Sequence, residues 1–144
     1  MLKYLNKALI LLSFYALSTT GLGQVYKTDQ IEVELVSESK TVVPGETLWL
    51  AIRLDPIEHW HTYWKFGGDS GVATFTSNWD APEGTEVGEI VWPIPEWTPF
   101  LGSELVTFSY EREVFLPLPL NIPADFTGST FNLSTTVDWQ VCEE

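Results

Sequence analysis

The sequence predicts an all-β protein, an immunoglobulin-like β-sandwich. Three observations predict it. No stretch after residue 24 carries a 3.6-residue apolar period, so amphipathic helices are not expected. Apolar and polar residues alternate with a period of two in several runs, the pattern of half-buried strands. Clusters of Pro and Gly separate these runs, as in a sandwich of short strands.

Residues 1–23 stand outside that fold and read as a secretory signal. Lys3 and Lys7 form a short basic region, and Ala8 to Leu17 form an apolar run of ten residues. Ten residues are too short to span a bilayer, which takes about 20. Gly21 and Gly23 give a small-x-small pattern for cleavage before Gln24. No Cys follows that cut, which argues against a lipid anchor. The expected mature domain is 24–144, and it is expected to be exported.

The strands follow in order. Ile31, Val33 and Leu35 alternate with Glu32 and Glu34. Pro44-Gly45 marks a turn. Leu48, Leu50, Ile52 and Leu54 then face one way, and Trp49, Ala51 and Arg53 the other, until Asp55-Pro56 breaks the run. His59, His61 and Tyr63 are expected to share a strand face opposite Trp60, Thr62 and Trp64. Phe75–Trp79 and Val87–Trp92 are shorter candidates around Pro82-Glu83-Gly84. Pro93–Gly102, with three prolines, reads as an ordered loop. Val114 to Ile122 alternate again, and Pro117 and Pro119 lose their N–H groups on one side, which suits an edge strand unpaired there. The last strand is expected to be the longest. Phe131, Leu133, Thr135, Val137, Trp139 and Val141 share one face, and Asn132, Ser134, Thr136, Asp138, Gln140 and Cys142 the other.

Composition excludes several functions. The chain carries 7 Lys and Arg against 20 Asp and Glu, a net charge of −13, so it lacks the basic surface that nucleic acid requires. Loss of residues 1–23 removes two bases and no acids, leaving −15. Apolar residues make up 44%, too many for a disordered acidic tail. One Cys excludes an internal disulfide, and one Cys with two His cannot complete a structural zinc site without carboxylates. His59 and His61 with Cys142 form an imaginable metal trio, but no metal and no cofactor is expected. Gly67-Gly68-Asp69-Ser70-Gly71 follows no strand–helix pattern, so it reads as a tight connection, not a phosphate loop.

Cys142 is the sharpest local clue. An exported chain meets an oxidising compartment, where a lone thiol is a flag for pairing or reactivity. The alternation puts it on the polar face, away from the apolar set where an inert cysteine belongs.

The run Val137-Asp138-Trp139-Gln140-Val141-Cys142-Glu143-Glu144 resembles the segment before the redox cysteine pair in the N-terminal periplasmic domain of DsbD-type thiol:disulfide interchange proteins, nearest to the disulfide bond corrector branch. His59-Trp60-His61-Thr62-Tyr63-Trp64, the 67–71 glycine run, Ile90-Val91-Trp92-Pro93 and Tyr110–Pro117 also fit, so the resemblance covers about 28–144. In that family the motif is W-x-x-C-x-x-x-C. Cys142 matches the first cysteine, and the second would fall after Glu144, so the expectation is a domain truncated within the motif.

The resemblance implies an immunoglobulin-like domain that relays reducing equivalents from a membrane domain to oxidised periplasmic proteins by thiol–disulfide exchange. The implied partners are the transmembrane and thioredoxin-like domains of the same full-length protein and oxidised periplasmic thiol proteins, and the implied location is the periplasm, with a tether to the inner membrane through downstream segments. A link to cytochrome c biogenesis falls within the family. The resemblance also implies a cap loop, here Pro99 to Gly102 with Phe100 as the cap, and aromatic neighbours of the cysteine at His61 and Tyr63. Such neighbours would tune the thiolate, with Glu143 and Glu144 opposing them. A different class stays open: a non-catalytic secreted β-sandwich that binds carbohydrate or protein, with Trp60, Trp64, Trp79, Trp92 and Trp97 as stacking candidates.

Overall fold

A computed structural model describes residues 23–99 and 104–143. Residues 1–22 of the expected signal segment 1–23 and residues 100–102 of the expected cap loop, Phe100 among them, lie outside the described residues, as does Glu144. No helix occurs among the described residues.

The first sheet is built from the runs whose alternation is cleanest. Its strands are β1 (Tyr26–Lys27), β2 (Ile31–Ser37), β3 (Thr47–Pro56), β6 (Glu86–Val87) and β9 (Val114–Asn121), in the order β1-β2-β3-β9-β6. All neighbours are antiparallel, from Ile31 opposite Pro56 to Leu48 opposite Leu120. Every second residue faces inward. Ile52, Leu54, Leu116, Leu118 and Leu120 are completely buried, and their area removed from water is the main stabilising term. The turn into β3 is closed by the Glu46 N–H donating to the Val43 carbonyl, with Gly45 at φ 81°. Pro at the second position and positive φ at the third define a type II turn, which glycine fits without strain.

The second sheet is less regular. Its strands are β4 (Trp60–Gly68), β7 (Glu96–Pro99), β8 (Val106–Tyr110) and β11 (Val141–Glu143), in the order β11-β4-β8-β7. The β4–β8 register shifts between Tyr63 and Gly68. Tyr110 joins the buried core, and Trp64 and Val141 pack against it, so the two sheets enclose one apolar layer. A two-stranded ribbon of β5 (Phe75–Asp80) and β10 (Ser134–Asp138) completes the immunoglobulin-like sandwich.

Five sequence expectations change. The run expected to be one long final strand splits at Trp139-Gln140, with β10 pairing β5 and β11 pairing β4. The inward face survives the break, because Phe131, Leu133, Val137, Trp139 and Val141 all pack on the core. Pro93–Gly102 is not wholly loop, since Glu96–Pro99 pairs with β8. Val87–Trp92 contributes only Val87 to a ladder. The proline side of β9 is nevertheless occupied. Gly88 and Val91 donate their N–H groups to the carbonyls of Pro119 and Pro117. Proline can accept but cannot donate back, so contact there is one-way and no full ladder forms. Finally, His59 leaves the face it was expected to share. It sits in the turn before β4 at φ 70°, its side chain exposed beside Glu58.

Candidate functional site

Cys142 lies on β11, an edge strand, directly opposite His61 of β4. Side chains of directly opposed residues share a face, and Tyr63 is two residues beyond His61, so all three project to the same side. That side faces away from the core, because Val141, Thr62 and Tyr110 occupy the alternate positions. Cys142 is half-buried. Glu143, opposite Trp60, is exposed on the other face, so its carboxylate points away from the sulfur.

Tyr63 is the buried centre of the group, 3% exposed. Its hydroxyl lies 3.1 Å from His61 Nε2, and the two rings meet edge to face with centroids 5.0 Å apart. The hydroxyl also interacts with the Cys142 sulfur and the Ser70 side chain. Burial first, and then the neighbouring Cys142, push the phenol up to about 12, while Ser70 opposes the shift. The phenol therefore keeps its proton at neutral pH and can donate it to the sulfur. When it does so, His61 must supply its Nε2–H to the phenol oxygen, because a hydroxyl has one proton to give.

The glycine run forms the roof. Gly71 has φ 97°, and a Cβ there would stand 2.2 Å from the Tyr63 ring. Only glycine allows the chain to lie this close over the tyrosine. Asp69 ties this connection to β8, its N–H donating to the Val106 carbonyl and its Oδ2 accepting the Val106 N–H. The stretch is thus a tight connection, as expected, and also a cover for the site.

Gln140 completes the arrangement. Its Oε1 accepts the Val72 N–H at 2.6 Å, and its Nε2 lies 3.5 Å from Cys142 Sγ. Alternation alone places Gln140 on the cysteine's face and assigns it no role. Its position two residues before the cysteine was the available signal. His59 does not join the group. No cluster of three or more His, Cys, Asp or Glu suited to a metal occurs among the described residues.

Of the five stacking candidates, Trp60 is half-buried at the start of β4. Trp64, Trp79 and Trp92 pack against the core, while Trp97 is 63% exposed on the second sheet.

The family model described as thiol:disulfide interchange protein DsbD, N-terminal, matches residues 32–144. No curated protein matches the chain. Among solved structures, the chain is similar to the crystal structure of the N-terminal periplasmic domain of ScsB from Proteus mirabilis, with TM-score 0.59 and 23% identity. The match covers 86% of this chain and 45% of that one, so the chain spans less than half of that structure. A likeness at this identity bears on the fold alone.

Proposed function

The chain belongs to the family of N-terminal domains of the thiol:disulfide interchange protein DsbD, and on that premise we propose that Cys142 is the nucleophile of an exported thiol–disulfide exchange domain. The observation that carries the reading is the setting of its sulfur. Cys142 is half-buried on an edge strand, with a protonated phenol and an amide turned toward it. An inert structural cysteine would sit among the apolar residues of the opposite face.

The chemistry runs as follows. The Cys142 thiolate attacks one sulfur of a partner disulfide. A mixed disulfide forms, the partner's S–S bond breaks, and the partner's other sulfur leaves as a thiolate that takes up a proton. A second thiol then attacks Cys142 Sγ and releases the partner's remaining cysteine. Two electrons reach the partner, and the domain keeps a disulfide. The family motif would place that second thiol four residues beyond Cys142. We assign reducing equivalents a membrane domain of the same protein as their source and oxidised periplasmic proteins as their destination.

The test follows from the composition. In a chain of residues 1–144, which carries one thiol, the first half-reaction is isolated from any resolving thiol, so the mixed disulfide accumulates. Oxidised glutathione added to the folded chain is expected to give one stable adduct, read by intact mass and absent from Cys142→Ser. Absence of an adduct where a cysteine peptide reacts readily would overturn the reading.

A further inference from the structure

Gln140 makes two contacts, and the first fixes the sense of the second. A backbone N–H can only donate, so the side-chain oxygen must face Val72, 2.6 Å away. The amide NH2 is then the group left facing Cys142 Sγ at 3.5 Å. Gln140 stands in the break between β10 and β11, where the chain passes from one sheet to another. Val72 follows Gly71, the residue laid over the Tyr63 ring. One amide therefore joins the roof of the site to its sulfur.

A thiolate only accepts hydrogen bonds, and bonds to a charged acceptor are about twice as strong as neutral ones. Building on the exchange reading above, we propose that Gln140 is a further catalytic residue: with Tyr63 it forms a two-donor hole for the negative charge on Cys142 Sγ, assembled only while the Ser70–Val72 connection covers the site. Lifting that connection frees the Gln140 oxygen and releases the amide from its orientation. The reactivity of the cysteine is thereby coupled to the position of the roof.

The experiment is iodoacetamide alkylation of the full chain across pH, read by intact mass, for the wild type, Gln140→Glu and Gln140→Leu. Glutamate keeps an acceptor for the Val72 N–H but replaces the donor at the sulfur with a negative oxygen. Leucine removes both contacts. Alkylation at neutral pH is expected to fall about three- to tenfold in Gln140→Glu, with its rise displaced to higher pH. Val72 amide exchange should stay slow in Gln140→Glu and become fast in Gln140→Leu. A Gln140→Glu profile that superimposes on the wild type, with slowing in Gln140→Leu alone, would overturn the proposal and leave Gln140 as a loop tie. Glutathione adduct formation on the same samples separates the two levels. Adducts in the wild type with an unchanged Gln140→Glu profile would sink the Gln140 role alone. Gln140-dependent alkylation without any adduct would sink the exchange reading and leave the two-donor hole standing.

Discussion

The two sheets of this sandwich are built on different terms. In the first, β2, β3 and β9 pair without interruption, and the inward positions from Ile31 to Leu35, Leu48 to Leu54 and Val114 to Leu120 carry aliphatic side chains. In the second, the ladder shifts register, two glycines end β4, and Thr62, Thr107 and Ser109 are buried polar residues. A regular ladder with a continuous apolar face gives stability and little chemistry. An irregular sheet leaves room for a tyrosine beneath a glycine loop and for a cysteine at an edge. The difference teaches that stability and reactivity are separable here, and substitutions can break them one at a time.

The largest effect is expected in the first sheet. Leu116 is fully buried, and Leu116→Ala should cost about 2–5 kcal/mol in urea unfolding through lost burial and the cavity left behind. Cys142→Ser, on the edge of the second sheet, should change that free energy by less than about 1 kcal/mol. Equal losses from the two substitutions would erase the distinction between the sheets.

Gly71→Ala should come next. The positive φ and the 2.2 Å approach to the Tyr63 ring force either the connection or the ring to move. We expect a loss of about 1–3 kcal/mol together with an altered alkylation rate at Cys142. A loss of stability with unchanged alkylation would show that the roof does not serve the cysteine.

Tyr63→Phe keeps the ring and removes the hydroxyl. Stability should fall by about 1 kcal/mol, and alkylation at neutral pH should slow several-fold. The variant also has a signature in alkali. The folded phenol lies above its ordinary value of 10, at about 12, so its contribution is complete below about 10 and lost as pH rises toward about 12. The late phenol titration assigned to Tyr63, followed by ultraviolet difference absorbance, should disappear in Tyr63→Phe. Tyr110, also raised by burial and donating to the Pro93 carbonyl, should remain.

The smallest effect belongs to the outer face of the first sheet. Arg53 is held by Glu113, Asp55 and Glu32, and Lys27 also pairs with Glu32. The Lys27 hydrogen bond, ahead of Arg53, holds the Glu32 carboxyl below its usual range. A lowered carboxyl contributes fully at neutral pH, and the contribution is lost as pH falls through the lowered value. Exposed pairs contribute little, so Glu32→Gln should flatten acid unfolding only slightly and leave the neutral midpoint almost unmoved. A large shift at neutral pH would mean that this face carries more of the stability than its exposure allows.

Legibility follows the same division between the sheets. Ile31 to Leu35, Leu48 to Leu54 and Val114 to Ile122 announce their inward faces, because period-two alternation and burial are the same fact there. The face of Cys142 was readable for the same reason, whereas its nearness to His61 and Tyr63 was implied only by the family resemblance. Alternation does not say which strand a run pairs with. The chain therefore changes sheets at Trp139-Gln140 without a sequence mark. Glu96–Pro99 was hidden by its prolines, since its pairing with β8 depends on residues about ten positions away. His59 was misplaced because a left-handed turn residue looks like any other in a list of alternating side chains. Gln140 was visible but mute: its role depends on Val72, brought to it only by the fold.

The most direct measurement is the reaction of oxidised glutathione with the folded chain at neutral pH, followed by intact mass before and after addition of urea. A single adduct on the folded chain, slowed in Gln140→Glu and absent in Cys142→Ser, is the predicted result. An adduct that forms only after urea has unfolded the chain would show a cysteine buried for structure and would contradict the placement of the chemistry in the second sheet.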